Sequence, residues 1–382
     1  MGLHQHFMGL AFAQAQQAIY LSNPNPRVGC VLVDDRGELL AQGHTQAVGG
    51  PHAEVMALRQ AQQRGINPAG ATAYVTLEPC AHFGRTPPCC DALIQAQVAA
   101  VHIALLDPNP LVAGQGVAKL RAAGIAVHIL PVQHPIATAC AELNIGFLSR
   151  MIRKRPWVRV KAAASLDGVT ALHNGCSQWI TGPAARADGQ TWRARACAIM
   201  TGIGTVLHDQ PRLDVRDFPV PRQPHLLVLD SGLRIPLNAS IFEASRACYI
   251  ATSAVNDVKK SVLAHQGVTV WELPADVSGT GVSLDAVMQH LHRIEVNELH
   301  VEGGATLTGA LLAGNWVDEW LIYLAPKLLG SGKPIAQWGP LTSLTQAQDL
   351  HFTQIQPLET DVRLLARPAT HSQFWEATMA AV

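Results

Sequence analysis

Twice along the chain, short β-rich runs alternate with helical stretches, and a basic segment divides the two series. Strands joined through helices return parallel to one another, so each series predicts a mainly parallel sheet covered by helices on both faces. The first series opens with a helix over residues 3–20, where Leu3, Phe7, Leu10, Gln14 and Ala18 recur at helical spacing. A strand over 28–35 turns at Arg36-Gly37 into a second short strand, ELLAQGH. Ala53 to Arg64 reads as a helix with Val55, Leu58 and Ala61 on one face and Gly65 as its stop. A β-rich run over 71–80 ends at Pro79-Cys80, followed by a helix over 91–97, a strand over 99–107, a helix over 117–124 and a last strand, AVHILPV.

A chain of 382 residues exceeds what one hydrophobic core usually holds. Between Leu148 and Lys161 lie Arg150, Arg153, Lys154, Arg155, Arg159 and Lys161, with Pro156 among them, which reads as a solvated linker. The expected domains are therefore 1–147 and 148–382. The second series restarts with WVRVKAAAS (157–165) and continues through AIMTGIGTVL, HLLVLD, ACYIAT, VTVWEL, ELHVEGG and EWLIYLAP, a separate α/β core.

Lys plus Arg equals Asp plus Glu at 28 each, and neither half carries the positive excess that a phosphate backbone requires, so nucleic acid is not an expected partner. No apolar run approaches the roughly 18 residues of a membrane span, so no membrane partner is expected either. The N-terminal AFA resembles a cleavage site, but no Lys or Arg precedes Arg27, and a signal peptide is not expected. Eight cysteines scattered through the chain fit a reduced, cytoplasmic protein and not a disulfide framework.

The strongest chemical signal is His52-Ala53-Glu54, followed by Glu78-Pro79-Cys80 and Cys89. One imidazole and two thiolates leave the fourth position of a tetrahedral zinc ion open for water, the pattern of a catalytic site. Zinc brings the pKa of that water near neutrality. Glu54, at the helix start, can take the water's proton and return it to a leaving amine. A structural zinc would need a fourth protein ligand from Cys90 or His82, and adjacent Cys89 and Cys90 cannot easily both face one ion. Cys90, Cys30 and Cys140 read as small core residues. His82 and Arg85, between the ligands, either meet substrate or face solvent.

This arrangement resembles the cytidine-deaminase superfamily, but the eight residues between Cys80 and Cys89 depart from the common Pro-Cys-x-x-Cys spacing. The run Thr76–Cys80, the insert from His82 to Cys89, Asn23–Gly29 and Gly43-His44 together resemble the pyrimidine deaminases of riboflavin biosynthesis. In the second half, Gly202 and Gly204 of TGIGTV and the glycines of VEGG follow strand-like runs. Alone they are ordinary turns, and together they suit a dinucleotide's phosphates at helix starts. Lys161–Gly168, Ser177–Thr181, Arg193, Gly204–Leu207, Asp209–Leu213 and Glu302–Gly304 resemble the reductase half of bifunctional riboflavin-biosynthesis enzymes.

The resemblance implies an N-terminal cytidine-deaminase-like three-layer domain and a C-terminal dihydrofolate-reductase-like domain. It implies zinc and NADPH as cofactors, and a small phosphoribosylaminopyrimidine that is deaminated and then reduced at its ribose. Metal ligands His52, Cys80 and Cys89 and the catalytic Glu54 follow from it. So do NADPH positions Ala163, Trp179, Thr205, Asp209, Ser231, Gly304, Ala305, Thr306, Leu307 and Thr308, and substrate positions Ser177, Arg193, Leu213, Arg216 and Glu302. Arg193 and Arg216 would offer guanidinium forks to a phosphate. Lys161 is either a proton donor near the reduced carbon or one more linker base, and Trp179 is either a cofactor contact or core. A homo-oligomer is expected. A nucleic-acid-editing deaminase and a passive second domain are the competing readings; zero net charge and the Cys80–Cys89 spacing weigh against the first.

Overall fold

Two glycines decide how the first sheet is covered. Its elements are α1 (Leu3–Gln17), β1 (Gly29–Val33), β2 (Leu39–His44), α2 (Ala53–Gln63), β3 (Thr72–Val75), α3 (Cys89–Gln95), β4 (Ala100–Ile103), α4 (Gln115–Ala122), β5 (Ala126–Ile129), α5 (Pro135–Leu143) and α6 (Ile145–Arg153). A Cβ on Gly29 would stand 1.9 Å from the Ala11 carbonyl oxygen of α1, and one on Gly43 would stand 2.5 Å from the Ala57 nitrogen of α2. These side-chain-free positions let a helix approach each face of the sheet. The buried face of α2 is accordingly Ala53, Ala57 and Ala61, with Glu54, while Val55 and Leu58 are only partly covered. This differs from the face expected from the sequence, because close approach to Gly43 selects the smallest side chains and not the most apolar ones.

The structure is a computed structural model describing residues 2–84, 86–109 and 112–381. The first sheet has the order β2-β1-β3-β4-β5, with β3, β4 and β5 parallel and β1 antiparallel to both β2 and β3. The mainly parallel sheet expected here is thus mixed. The turn is the cause: Asp34 Oδ1 accepts the N–H groups of Arg36 (3.0 Å) and Glu38 (2.7 Å), and Gly37 takes φ +84°. A turn this short can only join antiparallel strands.

The chain divides into two compact units, Met1–Lys154 with Phe374–Val382, and Arg155–Gln373. The division falls where Lys154, at φ +57°, ends α6, and the boundary read from the sequence lies inside that helix. Phe147 and Leu148 belong to the first core.

The second unit contains β6 (Trp157–Ser165), β7 (Val169–Ala171), α7 (Pro183–Arg195), β8 (Ala198–Gly202), α8 (Ile203–Asp209), β9 (His225–Leu229), β10 (Cys248–Thr252), α9 (Asp257–His265), β11 (Val268–Glu272), α10 (Leu284–Arg293), β12 (Glu298–Val301), α11 (Ala305–Ala313), β13 (Glu319–Ala325), β14 (Lys333–Pro334), β15 (Leu350–Leu358) and β16 (Asp361–Pro368); α12 (His371–Ala381) ends the chain. Nine strands run in the order β11-β10-β9-β8-β12-β6-β13-β16-β15, parallel through β13 and antiparallel at the β16–β15 edge. A two-stranded pair, β7 with β14, stands beside it. Insertion of β12 between β8 and β6 reverses the winding there, and ligands of open α/β sheets bind at the strand carboxyl ends beside such a reversal.

One face of this sheet carries buried charge. Arg159 Nη1 donates to Glu298 Oε2 at 2.9 Å and Nε to Glu319 Oε2 at 2.5 Å. Arg195 of α7 joins Glu298 at 2.8 Å, and Arg367 bonds Glu319 Oε1 through Nε (3.0 Å) and Nη2 (2.9 Å). The guanidinium of Arg159 lies 4.5 Å from the Trp192 ring centroid. Arg159 is therefore no linker base: it is 1 % exposed, and its partners lie 139 and 160 residues away, where charge pattern cannot reveal them.

Two stability predictions follow. Gly43→Ala should cost about 1–3 kcal/mol through overpacking against α2, read as a lowered denaturation midpoint. Burial alone would raise the Glu319 carboxyl, but Arg159 and Arg367 bring it down to about 2 from 4.5. A depressed carboxyl stabilises fully above its unfolded pKa, and that contribution is lost as pH falls through the folded one. Glu319→Gln should therefore lose about 3–5 kcal/mol near neutrality and show a shallower loss of stability between about pH 4.5 and 2 in denaturant titrations.

Candidate active sites

His52 is the N-cap of α2, Cys89 is the first residue of α3, and Cys80 lies in the turn after β3. Two helix N-termini thus face one point, and their partial positive charge favours thiolate and carboxylate there. His52 Nδ1 stands 3.2 Å from Cys89 Sγ and 3.7 Å from Cys80 Sγ. A tetrahedral zinc ion with ordinary Zn–S and Zn–N lengths spaces such donors about 3.5–3.8 Å apart, so this set fits the metal. Among the described residues, these three are the group of His, Cys, Asp and Glu arranged to hold an ion. The other His52 nitrogen, Nε2, meets Thr86 Oγ1 at 3.4 Å, an orienting contact of the kind that fixes a ligand imidazole.

Glu54, 3 % exposed, follows His52 by two residues in the first turn of α2. Burial pushes its carboxyl up, against the opposing pull of His52. Hydrogen bonds from the Cys89 side chain and, after it, His52 bring the Cys80 thiol down to about 4, while Cys89 is pushed up by its bond to Cys80 and by burial.

Beneath the ligands, Glu78 accepts backbone N–H groups from Asp107 (3.2 Å), Gly114 (3.0 Å) and Val117 (3.0 Å). This carboxylate anchors the Cys80 turn to two other segments, a role its place in the motif did not reveal. Cys90 is buried with its thiol on the carbonyls of Pro79 and Gly116, so it is a core residue, as expected. Cys30 and Cys140 are buried too. His82 Nδ1 is buried without a hydrogen-bond partner, and Arg85 lies outside the described residues. Arg27 is held by Asn144 through its backbone (2.7 Å) and by the Leu143 carbonyl through Nη1 (2.7 Å).

In the second unit, Gly202 caps α8 and Gly304 caps α11, both with extended backbone. A Cβ at Gly204 or Gly304 would meet no atom within 4 Å, so both positions are uncrowded on the side-chain side. The Leu307 side chain lies 2.8 Å from the position of a Gly303 Cβ and 3.9 Å from that of Gly202, which brings the two turns side by side. Adjacent helix starts that carry glycines with room around them fit a dinucleotide's phosphates. Thr205 and Asp209 lie on α8, and Ala305, Thr306, Leu307 and Thr308 open α11. Ser231 follows β9, its hydroxyl donating to the Thr280 carbonyl at 2.9 Å. Trp179 is 62 % exposed, under the Arg186 guanidinium at 4.3 Å, and is not core. Ala163 is half-buried on β6 and Ser177 half-buried in the loop before α7.

Glu302, just beyond β12, is the centre of the charged groups. Arg193 donates to both its oxygens, Nε at 2.5 Å and Nη2 at 3.0 Å, and Lys161 Nζ lies 3.6 Å away. Burial would raise this carboxyl, but Arg193 and Lys161 hold it well below the usual range. Lys161 therefore belongs to this cluster and not to a linker. Arg193 also donates Nη1 to the Asp214 carbonyl at 3.1 Å, so its Nε–Nη2 fork is held by Glu302 while one N–H on each Nη remains. Leu213 is buried at φ +49°, and Arg216 Nη1 donates to Asp214 Oδ1 at 3.1 Å. His300 and Asp214 escaped the sequence reading. Alternation through Glu298, His300 and Glu302 on one strand face was the available signal for the first.

The region over residues 1–105 matches the family model for the cytidine and deoxycytidylate deaminase zinc-binding region, and residues 156–364 match the RibD C-terminal domain. The chain is 42 % identical over 369 residues to the riboflavin biosynthesis protein RibD of Escherichia coli, covering 94 % of this chain and 98 % of that one. It is 36 % identical over 360 residues to the Aquifex aeolicus protein of the same name, covering 94 % and 97 %. Among solved structures, Acinetobacter baumannii RibD superposes with TM-score 0.86 at 40 % identity over 96 % of this chain and 99 % of that one. A diaminohydroxyphosphoribosylaminopyrimidine deaminase/5-amino-6-(5-phosphoribosylamino)uracil reductase from Thermotoga maritima superposes with TM-score 0.83 at 30 % identity, covering 96 % and 99 %.

The ligand geometry yields one prediction. The full chain should carry one zinc ion at His52, Cys80 and Cys89, and Cys80→Ser should lose it in elemental analysis, since three protein ligands fall to two.

Proposed function

Because the chain belongs to the RibD family of bifunctional riboflavin-biosynthesis enzymes, a zinc-dependent deaminase joined to a reductase, we propose how its residues divide the two reactions. The deaminase is assigned to the first unit and the reductase to the second. The substrates are those in the name of the Thermotoga relative: a diaminohydroxyphosphoribosylaminopyrimidine is deaminated, and 5-amino-6-(5-phosphoribosylamino)uracil is then reduced at its ribosyl group. The single observation that carries the first assignment is the convergence of His52 Nδ1 with the Cys80 and Cys89 thiols beside buried Glu54.

When bound, zinc supplies a water acidic enough to attack at neutral pH. His52, Cys80 and Cys89 hold the ion. Glu54 accepts the proton of the attacking water and delivers it to the departing amine nitrogen, which it can do because its carboxylate is excluded from bulk water at the helix start. His82, with an unpartnered nitrogen, is assigned to the substrate side of the same loop.

In the second unit NADPH, when bound, supplies the hydride. The amides opening α8 and α11 receive its phosphates, and Ala163, Trp179, Thr205, Asp209, Ser231 and Gly304–Thr308 line it. Ser177, Arg193, Leu213, Arg216 and Glu302 bind the uracil substrate. Arg193 also orients Glu302, and Lys161 donates the proton that accompanies the hydride at the reduced group. Glu302, held ionised by Arg193 and Lys161, accepts hydrogen bonds and does not donate a proton.

The cytoplasm is the proposed location, supported by eight unpaired cysteines. A homo-oligomer and the absence of a nucleic-acid partner, supported by zero net charge, complete the proposal. No helix among the described residues is long and apolar enough to cross a membrane.

The test follows product masses from purified protein, the diaminopyrimidine and NADPH. Glu54→Gln should lower the deamination rate by about 10²- to 10⁴-fold while zinc content and reduction of pre-deaminated substrate stay at wild-type values. Deamination near the wild-type rate would overturn the role given to Glu54.

A further inference from the structure

We propose that Arg212 is the second arm of a phosphomonoester receptor whose first arm is Arg216, with the buried carboxylate of Asp214 holding both guanidiniums in place. The inference deepens the assignment of Arg216 to the substrate and rests on that reading. The need for a second arm comes from Arg193. Its Nε and Nη2 are bonded to Glu302 and its Nη1 to the Asp214 carbonyl, and its side chain is only 14 % exposed, so little of it faces a ligand. A dianion at this end of the sheet is met more fully by arginines that stand half exposed.

Asp214 supplies the arrangement. The residue is 2 % exposed, and its two oxygens are divided between two arginines. Oδ2 accepts from Arg212 Nε at 3.0 Å and Nη2 at 2.7 Å, while Oδ1 accepts from Arg216 Nη1 at 3.1 Å. Both guanidiniums remain about half exposed, at 49 % of their side chains. Arg216 keeps Nε and Nη2 for a ligand. Arg212 keeps Nη1, whose nearest acid is Glu243 at 3.5 Å, itself 57 % exposed and weakly held in water. Two half-exposed cations share one buried anion, and the exposed Glu243 is the group that a phosphomonoester dianion would displace from Arg212.

The backbone of the loop bearing this pair is held by three side chains, Arg246, Gln223 and Gln190. Arg246 donates to the carbonyls of Arg212 (2.6 Å) and Leu213 (2.5 Å). Gln223 bonds both the N–H (2.9 Å) and the carbonyl (2.7 Å) of Val215, and Gln190 Oε1 accepts the Arg216 N–H at 3.2 Å. Such preorganisation avoids the ordering cost that long arginine side chains otherwise impose on binding. The Arg193 bridge from the Asp214 carbonyl to Glu302 sets the pair one side chain away from the group assigned to the pyrimidine or sugar. This position favours the 5-phosphate of the substrate over the other phosphomonoester available, the 2′-phosphate of NADPH.

The test uses the full-length enzyme and two reducible substrates, 5-amino-6-(5-phosphoribosylamino)uracil and its dephosphorylated riboside, with NADPH or NADH. Arg212→Ala should lower kcat/KM for the phosphorylated substrate about 10- to 100-fold, mainly through KM, as expected for loss of one charge-assisted contact. It should leave kcat/KM for the riboside and the NADPH-to-NADH preference unchanged. Arg212→Lys, which keeps charge without the fork, should recover part of the loss, and Asp214→Asn should weaken discrimination between the two substrates. Equal losses on both substrates, or none, would overturn the proposal, as would a change confined to the NADPH-to-NADH preference, which would assign the pair to the cofactor. Arg216→Ala separates the two levels: if it abolishes the preference for the phosphorylated substrate while Arg212→Ala does not, the substrate reading of Arg216 stands and the second arm is refuted. If neither variant alters that preference, both fall.

Discussion

Arg159 lies between Glu298 and Glu319, almost wholly out of water, and most of the reductase unit is arranged around that fact. Each of these carboxylates meets a second arginine, Arg195 from α7 and Arg367 from β16. Strands β12, β6, β13 and β16 and the helix above them are thereby joined by charge in addition to backbone ladders. A buried ion is tolerated only when its remaining donors and acceptors are satisfied, so this cluster specifies which strands must be neighbours. The same face continues one side-chain step at a time to His300 and then to Glu302, where it reaches the carboxyl ends of the strands. The site is the open end of a structural network, and its carboxylate is kept ionised by the logic that holds the network together.

The deaminase unit solves its problem with dipoles and close packing. Gly29 and Gly43 let α1 and α2 approach opposite faces of a small sheet, and the short contact at Gly43 sets the height of α2. The N-terminus of that helix then carries His52 and Glu54 to the place where α3 begins with Cys89. Glu78 ties the Cys80 turn to the segments at Asp107 and at Gly114–Val117, so two other pieces of chain hold this loop through one carboxylate. Stability and site geometry are coupled here, because loosening the Gly43 contact would move α2 and with it His52.

Where the sequence reading went astray, the missing information was a partner. The run from Arg150 to Lys161 looks like a solvated linker because six cations in twelve residues are visible and their acids are not. In the fold Arg159 is buried and Lys161 stands at Glu302, both through residues more than a hundred positions away. For Arg193 the chemistry of a guanidinium was legible and its bond to Glu302 was not. Likewise the apolar Val55 and Leu58 outweighed the alanines of α2, although a tight helix–sheet approach favours small side chains.

The sequence by itself determined the two α/β series and the glycine turns that open α8 and α11, and it singled out His52, Cys80 and Cys89, with Glu54 beside them, as the candidate zinc site. Each of these is written in local spacing, turn chemistry or motif, which need no knowledge of distant residues. Only the tertiary structure decided that β1 runs against β2 and β3, that the first unit extends to Lys154, and that Arg193 serves Glu302 while Arg212 and Arg216 share Asp214. Those outcomes depend on which side chains meet across the fold. An ion pair or a close packing contact has no signature in one strand of sequence until its partner is brought alongside.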